Sequence, residues 1–222
     1  MRIALFGGTF DPPHHGHIAI ARAAADRLSL DRVLIAPVGR QPLKQEESAP
    51  ASFADRLAMV RLAVADDPRL VVSTIDSPRE DGKPNYTFDS LVELKRGLAA
   101  ADVVLCLVGA DSYLTMKKWY RAAELLLEAE FIVAGRPGFS LEDAAAALPD
   151  GIRAAEVEES PGCVTLRVEG EAGASSKVYL LPDLDWEISA TQIRRALANR
   201  DEPQALLSAA VVEYIRAHGL YR

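Results

Sequence analysis

The chain has little cysteine, no long apolar run and no excess of positive charge. Two cysteines in 222 residues are too few for a disulfide framework or a zinc cluster, so we expect a reducing, cytoplasmic location. No apolar run approaches the roughly 20 residues that a membrane-spanning helix needs, so no membrane partner is expected. The first residues lack a basic segment followed by a long apolar core, so we expect no secretory signal.

Negative charge exceeds positive charge, with 32 Asp and Glu against 25 Lys and Arg. Broad nucleic-acid binding requires a basic surface, so nucleic acid is not an expected partner. A small anionic ligand is still compatible with this charge if a few cations converge. The cations at or near predicted loops and helix starts are Arg40, Lys44, Lys83, Arg136, Arg194 and Arg195.

What the sequence does contain is a regular alternation of apolar runs and helical patterns. The length suits one domain over residues 1–222, and a homo-oligomer is compatible with this composition. The alternation predicts an α/β fold, with a mainly parallel sheet and helices on both faces. Strands are predicted at 2–6, 32–36, 70–75, 102–108, 130–134 and 177–181. Helices are predicted at 16–28, 52–65, 87–99, 119–127, 140–148, 189–198 and 203–218.

One segment, residues 150–176, interrupts the alternation. It is acidic and rich in Gly and Ser, and two strand-like stretches flank the turn signal SPG. These features predict either a surface hairpin or a solvated loop without a role in chemistry. The segment is too short to be a separate domain.

The most informative motif is GGTFDPPHHGH at 7–17, between the first predicted strand and the first helix. Two glycines let the backbone approach a ligand, and helix-start amides favour a phosphate. His14 and His17, three residues apart, can donate hydrogen bonds to phosphoryl oxygens. The motif has neither the GxGxxG nor the GxxxxGK[ST] spacing. A zinc site is a rival interpretation, but no third ligand accompanies the pair.

A second cluster of donors lies in ISATQIR at 188–194. Ser189 is a natural helix N-cap, and Thr191 and Arg194 follow within two turns. Free amides, hydroxyls and a guanidinium at a helix start form an anion site. The alternative is an ordinary capped amphipathic helix.

Three further segments carry weaker signals. In KPNYTFDSL, Thr87 is a candidate N-cap for a helix whose free amides can hold a carboxylate. In LVGADS, Gly109 ends a buried strand and Asp111 can accept hydrogen bonds from ribose hydroxyls. In KKWY, Trp119 and Tyr120 offer ring faces for stacking, or else they belong to the core.

In this order, the segments GGTFDPPHHGH, NYTFDSL, GADS, KKWY, FIVAGRPGF, ISATQIR and VVEYIRAHGLYR resemble the bacterial nicotinate-nucleotide adenylyltransferases, of the HxGH nucleotidyltransferase superfamily. The resemblance implies a Rossmann-like, doubly wound fold. It also implies transfer of AMP from ATP to nicotinate mononucleotide, giving nicotinate adenine dinucleotide and pyrophosphate in NAD biosynthesis. Mg²⁺, held mainly by the ATP phosphates, is the implied cofactor, with no protein metal ligand.

The resemblance also implies a role for each residue that matches a motif. The catalytic and ATP-binding residues would be Gly7, Gly8, Thr9, Phe10, His14, His17, Gly109, Asp111, Ile188, Ser189, Thr191 and Arg194, of which His14, His17 and Arg194 are the catalytic ones. The residues that bind the mononucleotide would be Lys44, Thr87, Trp119, Tyr120 and Arg136.

Two departures from the family pattern affect these roles. Ala190 replaces a usual serine, which removes one hydroxyl from the ISxTxIR helix start, and QPLK at 41–44 replaces the usual PPHK. The alternatives are an adenylyltransferase with another phosphorylated acceptor (nicotinamide mononucleotide or phosphopantetheine) and a non-catalytic nucleotide-binding regulator.

Overall fold

The computed structural model describes residues 1–43, 50–136, 138–182, 184, 188–201 and 205–222. The strands are β1 (Arg2–Gly8), β2 (Arg32–Pro37), β3 (Leu70–Val72), β4 (Val103–Gly109), β5 (Glu130–Ala134), β6 (Arg153–Ser160), β7 (Cys163–Glu169) and β8 (Ser175–Leu181). The α-helices are α1 (His15–Arg27), α2 (Phe53–Ala63), α3 (Thr87–Arg96), α4 (Ala110–Tyr113), α5 (Ala122–Glu128), α6 (Leu141–Ala146), α7 (Ala190–Ala198) and α8 (Ala209–His218).

Across these ranges the strands form one sheet in the order β3-β2-β1-β4-β5-β8-β7-β6. The six strands from β3 to β8 in this order are parallel, and β7 is antiparallel to both its neighbours. The chain moves outward from β1 to β3 and then returns to place β4 on the other side of β1. The expected α/β, Rossmann-like sheet is confirmed, and β1 and β4 form the switch point at which ligands bind in such folds.

The central strands are buried on both faces, as their continuous apolar runs predict. Along β1, Leu5 packs into one core cluster, whereas Ala4 and Phe6 pack into another on the opposite face. A third cluster joins α2, α7 and α8 through Met59, Ile193 and other buried side chains. This cluster brings the end of the sequence back to the region near the start of α1.

Residues 150–176 form a hairpin, which decides between the two interpretations of this segment. Strand β6 is exposed along its whole length and forms the edge of the sheet. Strand β7 pairs with β8 and buries Cys163, Leu166 and Val168. The hairpin is therefore half solvated and half part of the core.

Some predicted boundaries are wrong. The helix predicted at 119–127 begins only at Ala122, because Arg121 has a φ of +53°, a left-handed conformation that a right-handed helix cannot include. The helix predicted at 203–218 begins at Ala209, where the Ser208 hydroxyl accepts a hydrogen bond from the Val211 amide and caps it. No helix in the described parts of the chain is long and apolar enough to cross a membrane.

Candidate active site

The candidate site lies where β1 and β4 end side by side. Phe6 of β1 is in register with Leu107 of β4, so Gly7 and Gly8 lie near Gly109. Residues 9–14 then lead from β1 into α1. The carboxyl ends of two adjacent parallel strands, on either side of the switch point, leave a crevice between the loops that follow them.

The glycines and Phe10 give the loop after β1 its shape. A Cβ on Gly8 would lie 3.1 Å from the Phe10 ring, and one on Gly7 would lie 3.4 Å from Oδ2 of Asp76. Phe10 has a φ of +50° and is buried, edge-on to the rings of Phe6 and His17. The Phe10 side chain therefore packs inward, and only its backbone is available to a ligand.

His14 and His17 are brought together at the start of α1. Their rings stack with centroids 3.6 Å apart, and the His14 backbone N–H donates to Nδ1 of His17 at 3.3 Å. Because Nδ1 of His17 accepts this bond, the proton of a neutral His17 resides on Nε2. His17 is thus held as a hydrogen-bond donor through Nε2.

Burial keeps both imidazoles neutral. It lowers the pKa of His14 to about 4, with a smaller contribution from the charge of His15. Burial, and secondarily the charge of His14, also lowers the pKa of His17 well below its ordinary value. Neutral rings of this kind are donors to a developing negative charge rather than proton acceptors.

Arg194 of α7 reaches the same loop. Its Nη1 donates to the backbone carbonyl of Asp11 at 2.8 Å, and its Nη2 donates to Oγ1 of Thr191 at 3.1 Å. Ser189 is the N-cap of α7, as predicted, although its side chain makes no capping hydrogen bond within the described chain. Ser189 and Thr191 are exposed and Ile188 is half-buried against the third core cluster. The guanidinium therefore lies at the same loop as the histidines.

Asp111 and Arg136, which the resemblance assigns to different substrates, contact each other. Gly109 is the N-cap of the short helix α4, and Oδ1 of Asp111 lies 2.9 Å from Nη1 of Arg136. Both side chains are exposed, so the ion pair contributes little to stability. It does bring the two side chains together beyond the ends of β4 and β5.

The N-cap of α3 is Tyr86, and the prediction of Thr87 as the cap is wrong. Tyr86 is extended, and its carbonyl accepts the Ser90 amide, so Thr87 is the first helical residue. The Tyr120 ring lies 4.5 Å from the Tyr86 ring and is half exposed. Trp119 packs against the core and donates from Nε1 to Oγ1 of Thr115. Aromatic faces thus flank the start of α3.

Two residues that sequence reasoning missed hold the loop between β1 and α1 in place. Arg56 is 3% exposed and donates to the Thr9 carbonyl at 2.7 Å, and Gln41 donates to the Thr9 hydroxyl at 2.8 Å. A signal for Arg56 exists, because it falls on the helix face of Met59 and Val60, three and four residues later. Lys44 lies outside the described residues.

Comparison with known proteins shows which family the chain belongs to. The profile of the cytidylyltransferase-like family matches residues 5–196. A probable nicotinate-nucleotide adenylyltransferase of Chromobacterium violaceum is 39% identical over 221 residues, covering 100% of this chain and 99% of the relative. The corresponding protein of Gloeobacter violaceus is 37% identical, covering 99% of this chain and 96% of that protein.

Among solved structures, the fold resembles that of the Plasmodium falciparum nicotinic acid mononucleotide adenylyltransferase complexed with NaAD. The TM-score is 0.72 at 16% identity, covering 99% of this chain and 97% of the other. This likeness concerns the fold, whereas the bacterial relatives establish the family. The chain belongs to the cytidylyltransferase-like family and, within it, to the nicotinate-nucleotide adenylyltransferases.

Proposed function

We propose that the protein transfers AMP from ATP to nicotinate mononucleotide, releasing pyrophosphate and forming nicotinate adenine dinucleotide in NAD biosynthesis. The observation that carries this proposal is the Arg194 guanidinium bound to the Asp11 carbonyl, in the loop that also holds His14 and His17. A cation and two neutral donors at a strand-to-helix crossing suit a triphosphate. The names of the full-length relatives favour this acceptor over phosphopantetheine.

The ATP phosphates would lie against the loop after β1 and the start of α7. Backbone amides of Gly8, Thr9 and Phe10 would approach the phosphates, and Nε2–H of His17 would donate to them. Ser189, Thr191 and Arg194 would contact the phosphates from the other side, beside Ile188. Gly109 and Asp111 would hold the ribose, which requires Asp111 to exchange its contact with Arg136 for hydroxyl donors.

The reaction would be an in-line displacement at phosphorus. A 5′-phosphate oxygen of the mononucleotide forms a bond to the α-phosphorus, the bond from that phosphorus to the bridging oxygen breaks, and pyrophosphate leaves with that electron pair. The attacking oxygen is already anionic, so no general base is needed. This agrees with the lowered pKa of His14 and of His17, since neither ring needs to take a proton. Catalysis would come from positioning and charge stabilisation.

Mg²⁺ would arrive with the nucleotide. In the portion of the chain that the structure describes, no group of three or more His, Cys, Asp or Glu side chains is arranged to hold a metal ion. The two stacked histidines do not make such a site either, because Nδ1 of His17 already accepts the His14 amide. Mg²⁺ would therefore be held by phosphate oxygens and water, where it neutralises phosphate charge.

The acceptor would bind at the start of α3. Thr87 and the free amides of the first turn offer donors and the positive end of the helix dipole, which favour a carboxylate over a neutral amide. Tyr120, with Tyr86 beside it and Trp119 behind, would pack on the pyridine ring. Arg136, and Lys44 in the 41–44 segment, would contact the 5′-phosphate.

The decisive experiment is pyrophosphate release from ATP and Mg²⁺ with one acceptor at a time. Turnover with nicotinate mononucleotide should be much faster than turnover with nicotinamide mononucleotide or phosphopantetheine. Transfer of CMP from CTP should likewise be much slower than transfer of AMP from ATP. Equal turnover of nicotinate and nicotinamide mononucleotides would contradict the role of the α3 start, and no turnover with any acceptor would favour a regulator. We expect a cytoplasmic enzyme, which is consistent with the unpaired Cys106 and Cys163.

A further inference from the structure

The loop between β1 and α1 is held by side chains from four distant parts of the chain. Gln41 and Arg56 bind Thr9, and Arg194 binds the carbonyl of Asp11. The fourth contact comes from Tyr221, beyond α8, whose hydroxyl donates to Oδ1 of Asp11 at 2.5 Å. Gln41, Arg56 and Arg194 act on backbone or hydroxyl groups near the proposed phosphates. Tyr221 instead acts on a buried carboxylate that faces away from solvent.

Asp11 depends on this contact. It is 2% exposed, and its other oxygen, Oδ2, has no hydrogen-bond partner in the described ranges. Arg56 lies near enough for its charge to interact with those of both Asp11 and Tyr221, and its Nε is likewise without a partner among the described residues. Burying a carboxylate is costly unless donors satisfy it, so loss of the Tyr221 hydroxyl would leave Asp11 without a direct donor among the residues that the structure describes.

Tyr221 is well placed to remain a donor. Burial, and then the hydrogen bond and charge of Asp11, raises the pKa of its hydroxyl. Its backbone has a φ of +60°, a left-handed conformation that non-glycine residues seldom adopt, and it directly follows the turn that ends α8. Backbone strain of this kind persists only where surrounding contacts determine it.

We propose that Tyr221 is a positioning residue for the ATP site: through Asp11 it holds the loop that carries the phosphate-facing amides and His14. This inference rests on the proposed function. Few residues separate Tyr221 from the histidines along this path. Asp11 is three residues before His14, whose backbone N–H sets the orientation of the His17 ring. If Asp11 moves, the His14 amide moves, and His17 loses the contact that fixes its tautomer.

The test is Tyr221→Phe, which removes one oxygen atom and keeps the ring. We expect the KM for ATP, and the Kd of an uncleavable ATP analogue, to rise about tenfold, with the KM for nicotinate mononucleotide unchanged. In the absence of ligand, hydrogen exchange at the His14 amide should become about tenfold faster. Titration calorimetry gives the Kd per competent site, so partial unfolding lowers the stoichiometry and leaves the Kd unaffected.

The matched control is Tyr214→Phe. Tyr214 lies on α8, and its hydroxyl donates to Oδ1 of Asp55 on α2 at 3.0 Å rather than to a residue of the loop. The Tyr214→Phe variant loses the same kind of hydrogen bond, from a tyrosine near the same end of the chain. We therefore expect a wild-type Kd for the ATP analogue and a wild-type rate of hydrogen exchange at the His14 amide. A Tyr221→Phe variant that matches Tyr214→Phe in both Kd and exchange would overturn the proposal.

Asp11→Asn provides a second test, because it removes the buried negative charge that the Tyr221 hydroxyl stabilises. In a double-mutant cycle, Tyr221→Phe should weaken ATP binding much less when Asp11 is already Asn. Fully additive effects would show that Tyr221 acts by another route. The exchange measurement needs no substrate, so an enzyme inactive on nicotinate mononucleotide would refute the proposed function while still testing Tyr221.

Discussion

A single backbone amide decides what His17 can do. The His14 N–H occupies Nδ1 of His17 and so fixes the donor on Nε2, while burial keeps the ring neutral. Because burial lowers its pKa, His17 is a neutral hydrogen-bond donor with a fixed tautomer at neutral pH. The spacing of the two histidines predicts that they share a helix face, but it does not reveal which nitrogen carries the proton.

His17→Ala should lower turnover by about a hundredfold or more, the usual cost of removing one donor to a transition state. His15→Ala is the matched control, since His15 is exposed and adjacent and should leave turnover near the wild-type value. Steady-state rates of pyrophosphate release measure both. Near-wild-type turnover in His17→Ala would show that the assigned role is wrong.

Stability should fall as the pH decreases from about 6.5 to about 4. The folded-state pKa of His14 is about 4, against 6.5 for an unperturbed imidazole, so the unfolded chain binds more protons in this window. The difference corresponds to about 3 kcal/mol of unfolding free energy lost across the window, and His17 acts in the same direction. Urea unfolding at several pH values measures this slope. His14→Gln should flatten it, and an unchanged slope in that variant would exclude His14 as its source.

Asp76 has the opposite effect at higher pH. Burial raises its pKa, although the Ser90 hydroxyl that donates to it partly compensates. A carboxyl with a raised folded-state pKa loses stability as the pH rises from its unfolded value through its folded one. Asp76→Asn should therefore be more stable than the wild type at pH 7 and equal to it near pH 3. A variant that is less stable at pH 7 would contradict this.

At the scale of elements, two serines at helix starts differ in whether the side chain caps the helix. The Ser140 hydroxyl accepts the Asp143 amide at the start of α6 and forms a capping box, whereas Ser189 caps α7 without such a bond in the described chain. A serine that starts a helix without capping it by its side chain is available for another task. At α7 that task is the proposed phosphate contact.

Ser140→Ala should reduce the unfolding free energy by about 1 kcal/mol. Ser189→Ala should leave it nearly unchanged and should instead raise the KM for ATP. Denaturant unfolding and steady-state kinetics on both variants test this separation. A larger stability loss in Ser189→Ala than in Ser140→Ala would reverse the assignment.

The hairpin offers a second contrast within one element pair. Leu166 of β7 is buried and lies opposite Val157 of the exposed edge strand β6. Leu166→Ala should cost about 2–5 kcal/mol of unfolding free energy, because it opens a cavity in the core. Val157→Ala should cost less than about 1 kcal/mol. Similar losses of unfolding free energy in the two variants would contradict this contrast and would show that the hairpin unfolds as one unit.

At the scale of the whole molecule, the sheet and both segments proposed to bind phosphate are predictable from the sequence. Continuous apolar runs such as 103–108 require burial on both faces, and Gly7, Gly8 and Gly109 mark where the strands end. The contact from Tyr221 to Asp11 is not predictable, because it joins residues 210 positions apart and neither local sequence indicates the partner. The true start of α3 depends on the Tyr86 carbonyl, which a search for polar N-caps overlooks.

An uncleavable ATP analogue should slow amide exchange in 9–17 and in 189–194 together. Both segments supply donors to one proposed ligand, and Arg194 already links them. The edge strand β6 serves as the internal control, since it lies at the far end of the sheet order and should exchange at the same rate with and without the analogue. Protection of only one of the two segments would contradict a shared triphosphate.

The bond between Arg194 and the Asp11 carbonyl spans 183 positions in the chain. During synthesis, the GGTFDPP segment leaves the ribosome early, and its guanidinium partner follows only after every strand of the sheet has been translated. The proposed nucleotide site of the nascent protein therefore stays incomplete for most of its time on the ribosome and is completed late.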